Sequence, residues 1–215
     1  MFYFDNLVPV PLHDQIENSQ IWGTSFVFSA KKRYLIEAAS GKGKTTLQHI
    51  LYGLRKDYSG IVKISTNQGK CNLSELTFEK WAYIRQNELA VVFQDLRLFL
   101  ELTAMENLLL KNDLTNFKNE EEIIEMAKEL SVDELLEKKC GEMSYGQRQR
   151  IAIIRALCQP FNFLIMDEPF SHLDSVNVEK CCNLIKRECI GQNAGYAIAS
   201  LEEKYFLDYD LEVKI

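Results

Sequence analysis

The chain has 215 residues, nearly half of them hydrophobic, and a formal net charge of −6 at pH 7. This composition excludes a wholly disordered chain, and the acidic balance argues against a general nucleic-acid binder, which normally carries a basic patch. Arg97 and Glu101 interrupt the longest apolar stretch, so no segment reaches the roughly 18 residues that cross a bilayer. The first residues lack the basic region and cleavage site of a signal peptide, so we expect a cytoplasmic chain.

Hydrophobic periodicity predicts strands and helices in alternation. The predicted strands are 26–28, 34–36, 61–65, 89–93, 161–166, 196–200 and 211–213. The predicted helices are 44–54, 104–111, 120–130, 133–138, 144–158 and 175–190. The sequence therefore predicts an α/β fold. Because no Pro/Gly/Ser-rich linker divides the chain, we expect one domain over residues 1–215, with a helical subdomain inserted at about residues 95–143.

Six cysteines are spread along the chain without a Cys-x-x-Cys pair. This spacing argues against a zinc site or a redox motif. In a reducing compartment, such cysteines are expected to be free thiols.

A loop of small residues, Ser40-Gly41-Lys42-Gly43-Lys44-Thr45-Thr46, follows a predicted strand and opens a predicted helix. Such a loop offers a polyphosphate several backbone N–H donors and the positive end of the helix dipole. In this reading Lys44 reaches the β- and γ-phosphates, Thr45 ligates Mg²⁺, and Thr46 supports the α-phosphate side. The alternative is a plain basic turn that caps a helix.

Ala38 stands where the usual phosphate-loop pattern begins with glycine. If the backbone at this position required the left-handed region, a Cβ would cost about 1–2 kcal/mol. The sequence thus predicts a loop that is weakened, but not abolished, at this residue.

Two further segments carry polar residues beside predicted elements. Asp167 and Glu168 end the apolar run 161–166, which places them at the carboxyl edge of a sheet, where open α/β folds bind ligands. Asp167 would hold Mg²⁺ through its water shell, and Glu168 would orient or deprotonate the attacking water. Acids also follow strands in ordinary loops. Ser144 and Gln147 form a capping-box pattern, which starts a helix and also presents a hydroxyl and N–H groups to an anion.

In order and spacing, these segments resemble the ATP-binding cassette (ABC) family of ATPases over nearly the whole chain. By this resemblance residues 40–46 correspond to the Walker A loop, Gln94 to the Q-loop, 143–147 to the signature, 165–168 to Walker B and 171–174 to the D-loop. The resemblance implies a P-loop NTPase core, with a mixed, mainly parallel sheet, flanking helices and an N-terminal antiparallel β portion.

The resemblance also implies ATP and Mg²⁺ as cofactors. It assigns nucleotide binding to a set drawn from three segments: Ala39, Ser40, Gly41, Lys42, Gly43, Lys44, Thr45, Thr46, Gln94, Ser144, Gly146 and Gln147. The expected catalytic residues are Glu168, Lys44 and Gln94. The expected metal ligands are Thr45, Gln94 and Asp167.

The family resemblance further implies a head-to-tail dimer with itself or a homologous cassette, in which Ser144 and Gly146 act on the partner's nucleotide. Closure of that dimer would drive transmembrane permease subunits. Through these subunits the chain would lie on the inner face of the membrane. No nucleic-acid partner is expected. Two alternatives stay open. One is a soluble ABC-type switch in a regulatory or nucleic-acid complex, and the other is a degenerate cassette with little hydrolysis.

Three positions depart from the family pattern. Leu201 stands where a switch histidine usually contacts the γ-phosphate, and leucine cannot donate a hydrogen bond. We therefore expect slow hydrolysis by the isolated chain. Tyr145 replaces the first signature glycine. The adenine-stacking residue is left open among His13, Trp22 and Tyr3.

Overall fold

The computed structural model describes residues 1–13, 16, 18–201 and 204–215, which alternate strands and helices. The strands are β1 (Phe2–Pro9), β2 (Ser25–Phe28), β3 (Arg33–Glu37), β4 (Tyr58–Thr66), β5 (Gly69–Asn72), β6 (Leu89–Val92), β7 (Phe163–Asp167), β8 (Gly195–Ser200) and β9 (Leu211–Lys214). The α-helices are α1 (Lys44–Leu51), α2 (Phe78–Asn87), α3 (Ala104–Asn112), α4 (Glu120–Glu129), α5 (Tyr145–Leu157) and α6 (Ser175–Gly191).

Two sheets organise these elements. One has the order β6-β7-β8-β3-β9, and every neighbouring pair in it is parallel. The other has the order β2-β1-β4-β5 and is antiparallel. Parallel neighbours need crossover connections, which here contain helices. The predicted α/β fold, with a mainly parallel sheet and an N-terminal antiparallel portion, is confirmed.

Strand β7 shows how the parallel sheet is buried. Leu164 and Met166 belong to a hydrophobic cluster with residues of α3, α4, α5 and α6, whereas Phe163 and Ile165 pack with residues of the antiparallel sheet and α1. Side chains alternate between the faces of a strand, so burial of both faces requires an apolar residue at each position. This packing fixes the end of β7, where Asp167 begins the candidate site.

Several predicted boundaries were wrong. Helix α1 ends at Leu51 rather than at residue 54, because Gly53 has a left-handed backbone (φ 73°) against the ring of Trp81. The helix predicted at 133–138 is only a short 3-10 turn, Asp133–Leu135.

The sequence prediction also missed three elements: β1, β5 and α2. In β1, Asn6 has a φ of 51° and the pairing with β4 shifts register between Asp5 and Val8, which breaks the period-two pattern. In α2, only Trp81 and Ile84 are buried, which leaves a weak helical periodicity.

Helices α3 and α4 lie between β6 and α5 in the chain, within the predicted helical block. Each begins with a capping box, Thr103 with Glu106 in α3 and Asn119 with Glu122 in α4. The boundary at residues 95–143 stays a prediction. The six cysteines are free thiols, as predicted. Within the described ranges, no helix combines the length and apolarity needed to cross a membrane.

Candidate functional site

The phosphate loop, residues 39–46, follows β3 and includes the first three residues of α1. Gly41 and Gly43 have left-handed backbones, with φ of 80° and 103°. A Cβ on Gly43 would lie 2.5 Å from Leu12 Cδ1 and 3.2 Å from the ring of Trp22, so both conformation and space require glycine here. Gly43 is also the N-cap of α1, whose first turn leaves N–H groups without intrahelical partners. The loop therefore offers the backbone donors that an anion needs.

Ala38 does not have a left-handed backbone, so the strain considered for its Cβ does not arise. Its side chain is buried, and its N–H donates to the Ser200 carbonyl at 3.3 Å. The loss of the first glycine therefore carries no left-handed penalty in this chain.

Lys44 is the first residue of α1 and its side chain is 7% exposed. Its Nζ donates to the carbonyl oxygens of Ala38 at 2.9 Å and Ala39 at 3.4 Å. The same Nζ lies 3.2 Å from Glu168 Oε1. The fold therefore brings the predicted phosphate-binding cation together with the predicted catalytic carboxylate.

Oxygen atoms of three predicted metal ligands converge beside this pair. Thr45 Oγ1 donates to Asp167 Oδ2 at 2.5 Å and lies 3.4 Å from Gln94 Oε1. Asp167 is 1% exposed, and its Oδ1 has no hydrogen-bond partner among the described residues. Burial raises the pKa of this carboxyl, a nearby Glu168 raises it further, and the Thr45 hydrogen bond lowers it. A buried, unpartnered carboxylate oxygen in a set of oxygen donors fits a hard cation such as Mg²⁺.

Glu168 directly follows β7 and has a left-handed backbone, with φ 45°. A non-glycine residue in this region costs about 1–2 kcal/mol, and such strain is often found at functional sites. Its N–H donates to the Ala199 carbonyl at 2.9 Å. Gln94 Nε2 lies 3.5 Å from Glu168 Oε2, so the Gln94 amide lies beside both Thr45 and Glu168.

Two further residues support the site: Gln149, which the sequence prediction missed, and Trp22, which it named only as an adenine candidate. Gln149 of α5 is 1% exposed; its Nε2 donates to the Glu168 carbonyl at 3.4 Å, and its Oε1 accepts from the His172 N–H at 3.3 Å. Trp22 donates from Nε1 to the Lys42 carbonyl at 3.2 Å. A polar residue within a largely buried helical stretch was the available signal for Gln149.

The signature segment, residues 143–147, has a different environment. Ser144 Oγ accepts from the Gln147 N–H at 3.3 Å, and Gln147 Oε1 accepts from the Ser144 N–H at 2.9 Å. The expected capping box is therefore confirmed. A Cβ on Gly146 would lie 3.0 Å from the His172 carbonyl oxygen. In the described structure, the side-chain hydrogen bonds of Ser144 and Gln147 join these two residues to each other, not to the phosphate loop.

Two arginines of α5, Arg150 and Arg155, donate to backbone carbonyls elsewhere in the chain. Arg150 donates to the Leu130 carbonyl at 2.6 Å. Arg155 donates to the Leu96 and Arg97 carbonyls at 2.7 and 2.8 Å. These arginines stabilise irregular backbone inside the fold.

Two of the adenine candidates have structural contacts. Trp22 is buried beneath the phosphate loop, and Tyr3 lies under Lys70 Nζ, 3.7 Å from its ring centroid. His13 is exposed and follows Leu12, which packs against Gly43. The residue that contacts adenine stays open.

Leu201 is 47% exposed and lines a cavity of about 810 Å³ together with Glu168. The Leu201 side chain offers this cavity no hydrogen-bond donor.

Comparisons with known proteins agree with this geometry. A family described as "ABC transporter" matches residues 22–171. The ribose import ATP-binding protein RbsA of Bacillus licheniformis is 33% identical over 177 residues, which cover 79% of this chain and 34% of that protein. The lipoprotein-releasing system ATP-binding protein LolD of Legionella pneumophila is 31% identical over 166 residues, 76% of this chain and 71% of LolD. The chain thus spans about a third of the length of the first relative.

Solved structures show the same fold. The dimeric structure of MJ0796, a bacterial ABC transporter cassette, has a TM-score of 0.78 at 24% identity and covers 94% of this chain and 88% of that one. A post-hydrolysis dimer of MJ0796 bound to ADP and Pi has a TM-score of 0.77 at 24% identity, with 99% and 96% covered.

Proposed function

This chain belongs to the ABC transporter family, and from that premise we propose that it binds and hydrolyses ATP as the cassette subunit of a transporter. ATP-driven closure of a dimer would move a solute through separate membrane subunits. One observation carries the proposal: Lys44 and Thr45 of the phosphate loop meet Glu168 and Asp167 at the carboxyl end of β7, at 3.2 and 2.5 Å.

The nucleotide would lie on the phosphate loop. Residues 39–46 would bind its phosphates through backbone N–H groups, Lys44 Nζ and the hydroxyl of Thr46. Thr45, Asp167 and Gln94 would hold Mg²⁺, which when bound neutralises phosphate charge. A phosphate competes with Glu168 for Lys44, so binding would free the Glu168 carboxylate.

Glu168 would act on the attacking water as general base, and its backbone is held by Gln149 and Ala199. Gln94 would orient that water, since its amide faces both Thr45 and Glu168. Leu201 supplies no donor to the phosphate, so hydrolysis by the isolated chain would be slow.

The second half of each site would come from another cassette. Ser144 and Gly146, with Gln147, would contact the nucleotide of a head-to-tail partner, which is the same chain or a homologue. The exposure of Ser144 and the absence of a phosphate-loop contact from its side chain, in the structure as described, support this arrangement.

A membrane subunit would dock in a surface groove beside α3. Phe99 and Leu110 are 59% and 48% exposed beside a groove of about 200 Å³. Lys111 and Arg155 also line the groove and donate to backbone carbonyls rather than carboxylates. Burial lowers the pKa of Lys111 to about 8. The fitting occupant is a short segment with apolar side chains and a carboxylate, which would hold the chain at the cytoplasmic face of the membrane.

Steady-state hydrolysis of MgATP tests the proposed function. We expect turnover in the wild-type protein and a fall of at least about 10²-fold in Glu168→Gln, which preserves shape but removes the base. ATP binding should persist in that variant. Glu179→Gln, an exposed change on α6, is the matched control and should keep full activity.

Equal turnover in Glu168→Gln and wild type would contradict the catalytic assignment. Binding of ATP without wild-type turnover would instead support a degenerate cassette, for which Leu201 is the specific structural argument.

A further inference from the structure

Tyr145 connects two segments of the candidate site. Its hydroxyl donates to the Gln94 carbonyl oxygen at 2.7 Å. Its ring centroid lies 4.3 Å from that of His172, with an interplanar angle of 50°, and the Arg148 guanidinium carbon lies 5.5 Å from the Tyr145 ring centroid. The first residue of α5 therefore contacts both the segment that follows β6 and the segment that follows β7.

The side chain of Gln94 is weakly held by its own contacts. Its amide oxygen and nitrogen lie 3.4 Å from Thr45 Oγ1 and 3.5 Å from Glu168 Oε2, at the limit of hydrogen-bond range, and the residue is exposed. By contrast, the hydrogen bond from the Tyr145 hydroxyl to the Gln94 carbonyl oxygen is short, at 2.7 Å. The stronger restraint on Gln94 thus acts through the backbone.

The residues that follow Gln94 have an unusual backbone. Leu96 and Arg97 have φ of 59° and 49°, two left-handed residues in succession without glycine. Arg155 donates to the carbonyl oxygens of both residues. Helix α5 therefore holds the segment 94–97 at two points, Tyr145 at its start and Arg155 near its end.

We propose that Tyr145 is a positioning residue for ATP hydrolysis, because its hydroxyl fixes the Gln94 main chain and so aims the Gln94 amide at Thr45 and Glu168. The inference rests on the proposed function. A glycine at this place has no side chain to make the bond, so the restraint is a consequence of the tyrosine in this chain.

Tyr145→Phe removes the hydroxyl and keeps the ring beside His172. In nucleotide-free protein we expect amide hydrogen exchange of residues 93–98 to rise about two- to tenfold, the effect of losing one net hydrogen bond. Tyr3→Phe on β1 is the matched control and should leave exchange in this segment unchanged. Unchanged exchange in Tyr145→Phe would overturn the restraint.

Kinetics test whether the restraint matters to the reaction. We expect kcat for ATP to fall about three- to tenfold in Tyr145→Phe, with KM within about twofold and the melting temperature preserved. If Tyr145 acts through Gln94, the double variant Tyr145→Phe/Gln94→Ala should have the kcat of Gln94→Ala alone.

Independent, multiplying losses in the double variant, or an unchanged kcat in Tyr145→Phe, would overturn the positioning role. A wild-type protein without turnover would refute the proposed function itself. The exchange comparison, made without nucleotide, would still separately decide whether Tyr145 restrains the segment.

Discussion

The phosphate loop and the signature segment are both short sequence motifs, but their polar side chains have different environments within one chain. Lys44 and Thr45 already contact Glu168 and Asp167 of the same chain. The polar side chain of Ser144 is engaged only in capping α5, within the described contacts, and stays exposed. The fold thus brings the first set of site residues together within one chain and leaves Ser144 exposed, where we propose that a partner chain supplies the nucleotide.

A change of charge at Ser144 tests whether the signature segment faces a bound nucleotide. Ser144→Asp keeps a preferred N-cap but places a carboxylate towards bound phosphate, whereas Ser144→Asn keeps the cap without charge. We expect turnover to fall about 10²-fold in the Asp variant and only a few-fold in the Asn variant. Both should melt within about 2 °C of wild type, because the cap is kept.

The measurements are steady-state ATP turnover and thermal unfolding of the three proteins. If the Asp and Asn variants lose the same activity, the added charge has no effect, and Ser144 does not face bound phosphate.

Leu201 is the position at which the half-site formed by the phosphate loop and the end of β7 lacks a hydrogen-bond donor. Because the cavity beside Glu168 lacks a donor at this position, Leu201→His should raise ATP turnover about tenfold, a conservative share of what one placed donor contributes. Leu201→Met, which adds no donor, should keep the wild-type rate. Fast wild-type turnover with no gain from histidine would show that another group already fills this role.

Asp167 gives the smallest effect and concerns stability. Burial raises the pKa of the Asp167 carboxyl in the folded state above its usual value of 3.8. The folded state therefore binds the carboxyl proton more tightly than the unfolded state does. Stability is lost as the pH rises from the unfolded-state pKa through the folded-state pKa. At pH 7 the protein bears the full cost of burying the ionised Asp167 carboxylate. Asp167→Asn removes this charge and should raise the unfolding free energy of the nucleotide-free protein by about 1 kcal/mol. Below the unfolded pKa, the difference should vanish.

Urea unfolding of both proteins at pH 7 and at acid pH measures this difference. A variant less stable than wild type at pH 7 would mean that Thr45 and Lys44 stabilise the carboxylate by more than its burial costs.

Much of the fold could be predicted because its signals are local. The apolar run of β7 reports burial on both faces of a parallel strand, and its end places Asp167 and Glu168 at the sheet edge. β1 was not predicted, since the irregularity at Asn6 hides its periodicity. The sequence also did not reveal the bond from Tyr145 to Gln94, because it joins residues 51 positions apart and depends on the packing of α5.

The most direct test of the two-half account is complementation between inactive variants. Lys44→Ala lacks a working phosphate loop and Ser144→Asp lacks a working signature, so each alone should be nearly inactive. A mixed dimer contains one site in which both halves are intact, so an equal mixture should recover about a quarter of wild-type turnover, since half of the dimers are mixed. No recovery in mixtures that contain mixed dimers would contradict the account, because each chain would then need both halves of its own site.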